Sequence, residues 1–349
     1  MHRSNSNTQI LTLSGSSYEI GFKHGKKARN KVYTSLETYE KMFKEYVDIS
    51  WREACEKALL HVNAIEEYNP NYIDEMEGIA KGAGVRFEDI LTLNARSEIA
   101  LISSPDGCTS FALTKPKTTN TWLAQNWDWR GAQINALIRI KIESKSLPSI
   151  EMITEAGIIG KIGCNDAGIG VCLNVLVTDT WRPKVPVHLG LRAILESRTI
   201  EEALSKVQHN QMASSVHFLI GSKTGKIKSV EASPICTIIK ESKNGMIAHT
   251  NHICSVQLKK KVKEDPFPDS FVRFKKINNE MENIPENTKH EKLFQILSDH
   301  DNFPHSICRH ESFEQSGRSK IETVFSIVMN LSQNEVSWIK GKPCEYFSE

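Results

Sequence analysis

The sequence predicts an α+β fold built of packed layers, with a helical segment at its N-terminal end. Residues 16–102 repeat apolar side chains at spacings of three and four among Lys and Glu, which indicates amphipathic helices. After Gly107 the pattern changes to short strand-like runs separated by turn residues. Helices interrupt these runs in blocks and do not follow every strand, so we expect a layered α+β sandwich.

The helical segment begins at a recognisable cap. Ser16 can accept a hydrogen bond from the backbone and Glu19 can reach back to it, which is the pattern of a capping box. Four helices are predicted behind this cap, over 17–47, 51–68, 69–84 and 87–101. The third is expected to stop at Gly82 and Gly84, because glycine is common just past the end of a helix.

The rest of the chain contains strand-like runs and a few helices. The runs predicted as strands are 109–114, 121–127, 136–144, 149–157, 168–176, 215–222, 226–233 and 236–242. Helices are predicted over 185–198, 199–207, 269–283 and 289–299. The runs 323–331 and 335–341 form a predicted terminal hairpin.

The composition is that of a soluble globular protein and argues against several partners. The 349 residues carry a net charge of +2, so neither nucleic acid nor a membrane surface is expected as a partner. No apolar run approaches the ~20 residues of a membrane helix, and the first residues lack the apolar core of a signal peptide. The expected location is therefore cytoplasmic. The eight cysteines are too sparse for a disulfide scaffold, and free thiols are expected.

A glycine-rich stretch at 157–170, GIIGKIGCNDAGIG, invites comparison with a nucleotide-binding loop. It follows neither the G-x-G-x-x-G pattern nor the P-loop pattern that ends in Lys-Ser/Thr. Asn165 and Asp166 are typical turn residues, so tight hairpin turns are the favoured interpretation. The chain also contains no G-x-S-x-G elbow, which argues against a serine hydrolase of that kind.

Two groups of histidines suggest a metal site. The first is His249 with His252, and the second is His300, His305, Cys308 and His310. Zinc needs three or four convergent ligands with supporting hydrogen bonds. The His249–His252 spacing lacks a helix, no C-x-x-C pair occurs, and the zinc-protease pattern is absent. No metal ion is therefore predicted.

Cys108 is the strongest candidate for chemistry. It follows the turn residue Gly107 and precedes a strand-like run. A lone cysteine is more often a small buried side chain than a nucleophile. A hairpin from 108–114 to 121–127 would bring Asp128 back beside Cys108, because antiparallel strands run past each other. A thiol and a carboxylate can then meet at one end of a two-stranded ribbon.

Several longer motifs make the chain similar to a known family. They are DGCTS, AQNWDW, MITEAGIIGKIGCNDAGIGVCLN, AHTNH, DPFPDS and DNFPHSICR. Together they resemble the acyl-CoA:6-aminopenicillanic acid acyltransferase (isopenicillin N acyltransferase) family over nearly the whole chain. The resemblance implies an N-terminal-nucleophile hydrolase fold, an αββα sandwich in which two antiparallel sheets pack face to face with helices outside.

The resemblance also implies an inactive precursor that cuts itself between Gly107 and Cys108. The products would be residues 1–107 and 108–349, which stay associated within one αββα domain. The Cys108 thiolate would attack the Gly107 carbonyl to give a thioester, and water would then release the first segment. The freed α-amine has a reference pKa of about 7.7–8, so base and nucleophile would lie on one residue.

Other roles carry over from the family by position. Asp128 matches a carboxylate that orients the new N-terminus, and Asn251 matches a side-chain amide that supports an oxyanion. Arg309 matches an arginine used in processing or in the architecture of the site. Lys320 stands where the penicillin enzyme has an arginine, and lysine keeps the charge but lacks the planar guanidinium.

The substrate stays open, because the chain departs from the family pattern at Trp129 and Arg130, where paired aromatic residues are expected. The first hypothesis is a self-processing acyltransferase or amidohydrolase for a small acyl amide or acyl thioester, with acyl-CoA as a candidate substrate and no cofactor. The second is a hydrolase of small N-acyl amines, β-alanyl amines or peptides, with water as acceptor. The third is a processed but inactive binding module without an unusually reactive cysteine.

Overall fold

The computed structural model of the chain describes residues 10–100, 107–312 and 321–346. The helices are α1 (Ser17–Lys27), α2 (Arg29–Val47), α3 (Trp51–Leu59), α4 (Val62–Tyr68), α5 (Asn71–Ala83), α6 (Phe87–Asn94), α7 (Arg96–Ala100), α8 (Val187–Leu195), α9 (Ile200–Ser205), α10 (Val256–Lys259), α11 (Pro268–Glu282) and α12 (His290–Leu297). The strands are β1 (Leu11–Ser14), β2 (Thr109–Leu113), β3 (Trp122–Arg130), β4 (Leu137–Glu143), β5 (Ile150–Glu155), β6 (Ile162–Asn165), β7 (Ile169–Val175), β8 (Val216–Ser222), β9 (Ile227–Ala232), β10 (Thr237–Glu241), β11 (Met246–His249), β12 (Ile321–Asn330) and β13 (Glu335–Lys340). Short 3₁₀ helices cover Gly131–Ala136 and Pro343–Tyr346.

Two sheets lie face to face at the centre of the molecule. Within the described ranges, one sheet has eight strands in the order β1-β4-β5-β6-β7-β8-β9-β10, and the other has five in the order β11-β2-β3-β12-β13. Gln125 of β3 accepts a hydrogen bond from the Leu173 amide of β7 at 2.9 Å. Ser110 of β2 donates to the Asn174 side chain of β7 at 2.5 Å. These bonds join the facing surfaces of the two sheets.

Helices cover the outer faces of both sheets. α11 and α12 pack on the five-stranded sheet, where their side chains Ile277 and Leu293 join Phe111 and Val328 in one apolar cluster. α8 and α9 pack on the eight-stranded sheet, and α2 packs against β5. Burial of apolar side chains between the layers is the main favourable contribution to such a fold. The predicted αββα sandwich is confirmed.

One strand departs from the predicted antiparallel arrangement. β1 pairs with β4 in parallel, with Leu11 opposite Ile140 and Leu13 opposite Ile142. β1 lies outside the predicted strands, as do the other four-residue strands β6 and β11. Runs this short carry too little alternation to be distinguished from turns. The expectation of purely antiparallel sheets is therefore wrong at this edge.

The predicted N-terminal helices are present but are divided. The run 17–47 is broken at Ala28 into α1 and α2, and the run 51–68 is broken near His61 into α3 and α4. α5 ends as predicted before Gly84, which has the left-handed φ of 73° that favours glycine at a helix C-terminus.

Gly82 does not end α5 but lies inside it, where the absence of a side chain allows α5 to pack closely against α1. A Cβ on Gly82 would lie 2.2 Å from the Phe22 carbonyl oxygen of α1. A Cβ on Gly25 of α1 would lie 2.1 Å from the Ile79 carbonyl oxygen of α5. Glycine inside a helix costs about 1 kcal/mol relative to alanine, but here the close approach of two helix backbones requires it. The predicted stop at Gly82 is wrong for this reason.

The remaining predicted elements agree with the structure to within a few residues. The eight predicted strands correspond to β2–β5 and β7–β10, and the terminal hairpin is β12 paired with β13. The glycine-rich stretch forms β6 and the turn into β7, which confirms the hairpin interpretation. All eight cysteines lie in the described ranges, and none of them forms a disulfide. In the described ranges, no helix is both long and apolar enough to cross a membrane.

Residues 10–100, the described part of the chain before Gly107, are built into the rest of the fold. β1 is an edge strand of the eight-stranded sheet. Arg96 of α7 lies 3.2 Å from Glu155 of β5, and Glu75 of α5 lies 2.8 Å from Arg192 of α8. These four side chains are buried, and described residues on both sides of Gly107 share one apolar core. The division into 1–107 and 108–349 stays a prediction about cleavage.

Candidate active site

Cys108 lies immediately before β2 and is buried, with a relative exposure of 1%. β2 pairs with β3, and Thr109 lies opposite Asn126, so the predicted hairpin is confirmed. The Cys108 carbonyl oxygen accepts hydrogen bonds from Asn174 Nδ2 at 3.2 Å and from Arg273 Nη1 at 2.7 Å. The backbone at Cys108 is thereby held from both β7 and α11.

Gly107 and two charged neighbours define the candidate cleavage point. A Cβ built on Gly107 would lie 2.4 Å from Arg309 Nε and 3.0 Å from Asp128 Oδ2. A larger residue would have to displace Arg309, so the absence of a side chain lets both charged groups approach the peptide. The β2–β3 hairpin returns Asp128 to Cys108, as the sequence predicted. The Gly107–Cys108 peptide therefore lies beside a carboxylate and a guanidinium.

Asp128 is completely buried and is fixed by Thr323 of β12. Thr323 Oγ1 donates to Asp128 Oδ1 at 2.7 Å. The same hydroxyl oxygen accepts from the Arg309 backbone amide at 2.9 Å. Arg309 Nε in turn lies 3.7 Å from Asp128 Oδ2. One threonine hydroxyl thus aligns the carboxylate with the segment that carries the arginine.

Two further groups hold the Arg309 guanidinium. Its Nη2 donates to Asp269 Oδ2, and its Nη1 lies 3.0 Å from His305 Nδ1. Burial and the positive charge of Arg309 lower the pKa of His305, so the neutral ring accepts this hydrogen bond. A planar guanidinium bound at several of its nitrogens presents its charge in a fixed direction.

Asn251 follows β11 and is held by the same guanidinium as Cys108. Its Oδ1 accepts from Arg273 Nη2 at 3.1 Å, and its Nδ2 donates to the Val175 carbonyl at 3.2 Å. Its backbone amide donates to Ser270 Oγ at 2.8 Å. A side-chain amide fixed in this way is a suitable donor to developing negative charge, because it need not reorganise.

Glu231 of β9 anchors the loop that carries Asn251. Its Oε1 lies 3.0 Å from His249 Nε2, and its Oε2 accepts from the Ser255 amide at 3.0 Å. Burial opposes a charge on His249, but Cys254 and Glu231 outweigh burial and raise the pKa of His249 to about 10. His249 is therefore charged at neutral pH, and the ion pair fixes both ends of the loop.

Arg273 and Asp269 are site residues that the sequence analysis did not single out. Arg273 is buried in α11, and its Nε lies 3.0 Å from Asp269 Oδ2. Burial favours the neutral form of Asp269, but Arg273 and Arg309 outweigh it and lower the pKa of Asp269. One sequence pattern indicates this pair. Arg273 follows Asp269 of the motif DPFPDS by four residues, which is the spacing of an ion pair on one face of a helix.

A second group of charges is buried near the candidate nucleophile. Glu155 of β5 accepts from Lys161 Nζ at 3.0 Å and from Arg96 Nη2 at 3.2 Å. Lys161 Nζ lies 3.7 Å from the ring centroid of Trp127. Burial and Arg96 lower the pKa of Lys161 to about 8, although Glu155 and the charge of the Cys108 thiolate act in the opposite direction. Two cations thus share one carboxylate within electrostatic range of Cys108.

We expect Lys161→Met to change the pH dependence of stability. The folded protein releases the Lys161 proton at about pH 8, whereas the unfolded chain keeps it up to about pH 10.5. Between these values the unfolded state binds more protons, so the contribution of Lys161 to the free energy of unfolding rises with pH by roughly 3 kcal/mol. Below pH 8 both states carry the proton, and this contribution is constant.

Denaturant unfolding of the wild type and Lys161→Met at a series of pH values measures this rise. The free energy of unfolding of the wild type, relative to that of Lys161→Met, should increase from pH 8 upwards. Lys57→Met is the control, because Lys57 is exposed on α3. The free energy of unfolding of the wild type relative to Lys57→Met should not show this rise. A pH-independent difference for Lys161→Met would contradict a lowered pKa at this lysine.

Most predicted site residues belong to one hydrogen-bonded or ion-paired network. These are Cys108, Asp128, Asn251 and Arg309, and Gly107 lies against Asp128 and Arg309. Lys320 lies outside the described residues, so its predicted role stays a prediction. Trp129 lies 4.6 Å from the Arg96 guanidinium, and Arg130 pairs with Glu45.

Comparison with known proteins gives a family match and a close sequence relative. The family described as "Acyl-coenzyme A:6-aminopenicillanic acid acyl-transferase" matches residues 114–344. The "Acyl-coenzyme A:6-aminopenicillanic-acid-acyltransferase 40 kDa form" of Emericella nidulans is 35% identical over 342 residues, which cover 95% of this chain and 92% of that protein.

Two solved structures that the chain resembles are more distant in sequence. Penicillin V acylase from Agrobacterium tumefaciens is 13% identical, with a TM-score of 0.41 over 67% of this chain and 86% of that chain. A mutant of conjugated bile acid hydrolase from Clostridium perfringens is 14% identical, with a TM-score of 0.44 over 67% of this chain and 92% of that chain.

Proposed function

The chain belongs to the acyl-coenzyme A:6-aminopenicillanic acid acyltransferase family, and from this premise we propose that it is a self-processing enzyme that moves an acyl group through a thioester on Cys108. The reaction forms or breaks C–N bonds. The observation that carries this proposal is the position of the Gly107–Cys108 peptide, which lies against Asp128 and Arg309.

Self-cleavage is the first step that we propose. The Cys108 thiol loses its proton, the sulfur bonds to the Gly107 carbonyl carbon, the C–N bond of the peptide breaks, and the Cys108 α-amine leaves with that proton. The Gly107 acyl group then forms a thioester with Cys108, which water hydrolyses to a carboxylate and the free thiol. The buried cations Lys161 and Arg96 favour the thiolate, because positive charge near a cysteine stabilises its anion.

Acyl transfer follows at the same sulfur. The new α-amine of Cys108 accepts the thiol proton, and the thiolate attacks the carbonyl carbon of a substrate. The bond from this carbon to the substrate's amine or thiol breaks, and the leaving group takes the proton. An acceptor amine or water then attacks the thioester and releases the Cys108 thiol. Asp128 lies where it can orient that amine, since its Oδ2 already lies close to Gly107. Asn251 Nδ2 supplies a hydrogen-bond donor for the oxyanion, an effect typically worth 10²–10³ in rate, or about 3–4 kcal/mol.

The two products of cleavage stay together in this proposal. β1 remains paired with β4, and Arg96 remains bound to Glu155. Glu98 accepts from the Val187 amide at 2.9 Å, which adds a buried bond between the segments. Breaking a buried ion pair by removing one partner typically costs about 3–5 kcal/mol. These contacts support a heterodimer of residues 1–107 and 108–349.

The proposed substrate is a small acyl amide or acyl thioester, and acyl-CoA is a candidate donor. The name of the Emericella nidulans relative gives an acyl-coenzyme A donor and 6-aminopenicillanic acid as the acceptor amine. Water is the competing acceptor. The ratio of the two reactions depends on how well the amine excludes water from the thioester.

Substrate addition tests this proposal. Cleaved protein is incubated with phenylacetyl-CoA, with and without 6-aminopenicillanic acid, and separately with phenylacetyl amides. We expect an acyl adduct on the 108–349 chain by intact mass, and an N-acyl product when the amine is present. CoA release without an amide product identifies water as the acceptor. The absence of both adduct and turnover with every donor would contradict the proposal and favour the binding module.

A further inference from the structure

A group of potential metal ligands lies outside the proposed reaction site. One ligand atom from each of four side chains lies within 4.8 Å of all the others. The four residues are His300, Cys308, His310 and Cys344. The first three lie in the segment after α12, and Cys344 lies in the 3₁₀ helix Pro343–Tyr346 that follows β13. The cluster therefore joins two parts of the chain that are distant in sequence.

Three of the six separations between the ligand atoms are close to the edges of a zinc tetrahedron, and all six are within 4.8 Å. His300 Nε2 lies 3.1 Å from His310 Nε2. His310 Nε2 lies 3.8 Å from Cys308 Sγ and 3.4 Å from Cys344 Sγ. Tetrahedral zinc with bonds of about 2.0–2.1 Å to nitrogen and 2.3 Å to sulfur places two nitrogens about 3.3 Å apart, and a nitrogen and a sulfur about 3.5 Å apart.

The surroundings fit a structural site. The segment is folded by backbone bonds from the Cys308 amide to the Asp299 carbonyl and from the His310 amide to the Pro304 carbonyl, both at 2.9 Å. The Phe303 ring lies 5.0 Å from the His310 ring and 5.9 Å from the His300 ring. Two imidazoles and two thiolates form a donor set that closes all four positions of zinc, as structural sites do.

We propose that His300, Cys308, His310 and Cys344 bind one structural zinc ion. No metal ion was predicted from the sequence, because the chain has no C-x-x-C pair and no zinc-protease pattern, and the predicted group of His300, His305, Cys308 and His310 does not include Cys344. His305 instead binds Arg309, and Cys344 supplies the fourth ligand from 34 positions beyond His310. Binding would fix the segment after α12 to the C-terminal 3₁₀ helix.

The ion would also position Arg309. Cys308 and His310 direct their ligand atoms to the cluster, whereas Arg309 between them reaches Asp128 and Asp269. A metal that fixes the residues on both sides therefore restrains the backbone from which the guanidinium extends. This consequence rests on the proposed role of Arg309 in the reaction, but zinc binding itself does not.

Metal analysis of the full chain tests the proposal. The protein is expressed with added zinc and purified without chelator. Its zinc content per chain is then measured by elemental mass spectrometry. We expect about one zinc ion per chain in the wild type and its loss in Cys344→Ser. The matched control is Cys254→Ser, which removes another partly buried thiol and should retain the zinc.

Cobalt spectroscopy of the wild type gives an answer even if Cys344→Ser fails to fold. After zinc is removed by chelation, added Co²⁺ should give the thiolate charge-transfer bands and the intense visible bands of a tetrahedral site. A wild-type chain without zinc and without these bands would overturn the proposal. A Cys308–Cys344 disulfide found by mass, or full zinc retention in Cys344→Ser, would also overturn it. A chain that binds zinc but stays uncut would support this site and contradict the proposed function instead.

Discussion

Cys108→Ala is expected to leave the 349-residue chain uncut and to abolish acyl transfer. The substitution removes the sulfur that attacks the Gly107 carbonyl, and without cleavage position 108 provides no free α-amine. Loss of a catalytic nucleophile lowers turnover by roughly 10⁴-fold or more. Intact masses under denaturing conditions measure the result, since the wild type should give two chains, 1–107 and 108–349.

Two control variants make this experiment specific. Cys236→Ala removes another buried thiol and should still give two chains. Cys108→Ser keeps a weaker nucleophile and should be cut more slowly than the wild type. A single uncut wild-type chain, or two chains in Cys108→Ala, would contradict self-cleavage by this sulfur. The first of these results would also remove the proposed base of the transfer reaction.

Arg273→Met is expected to have the second largest effect, on both stability and processing. The variant loses the bonds from Arg273 to the Cys108 carbonyl and to Asn251 Oδ1. It also leaves the partly buried Asp269 with one guanidinium in place of two. We expect the free energy of unfolding to fall by about 3–5 kcal/mol and cleavage to slow by roughly 10²-fold. Denaturant unfolding and a time course of intact masses measure the two effects.

Arg192→Met separates a specific role of Arg273 from a general loss of stability. Arg192 is also a buried arginine in an ion pair, but it binds Glu75 and Glu196 from α8. Its loss should destabilise the protein by a similar amount while cleavage stays close to the wild-type rate. Equal slowing of cleavage in both variants would contradict the assignment of Arg273 to the site.

The part of the site that the sequence predicted depends on local structure. Asp128 could be placed beside Cys108 because a short hairpin connects them, and the alternation of two neighbouring runs indicates its register. The fold class followed from the change of periodicity near Gly107. Asn251 and Arg309 came from the family resemblance, since nothing in their own spacing relates them to a cysteine more than a hundred positions away.

The rest of the site depends on contacts between distant positions. Arg273 binds the Cys108 carbonyl across 165 positions, and Arg96 binds Glu155 across 59. Lys161 lies in a glycine-rich hairpin, where a lysine ordinarily indicates a solvated turn. Its burial depends on the packing of Trp127 and Arg96, which comes from other elements. A single sequence carries periodicity along the chain but no direct record of such pairings.

The strand β1 has a consequence for how the two proposed products of cleavage would assemble. β1 and Arg96 lie before Gly107, and their partners β4 and Glu155 lie after it. In the uncut chain these pairs form within one molecule, so refolding is a first-order process. After cleavage the same pairs join two molecules, and the stability of the enzyme depends on its concentration by mass action. An uncut variant should therefore refold at a rate independent of dilution, whereas the separated chains should recombine more slowly as they are diluted.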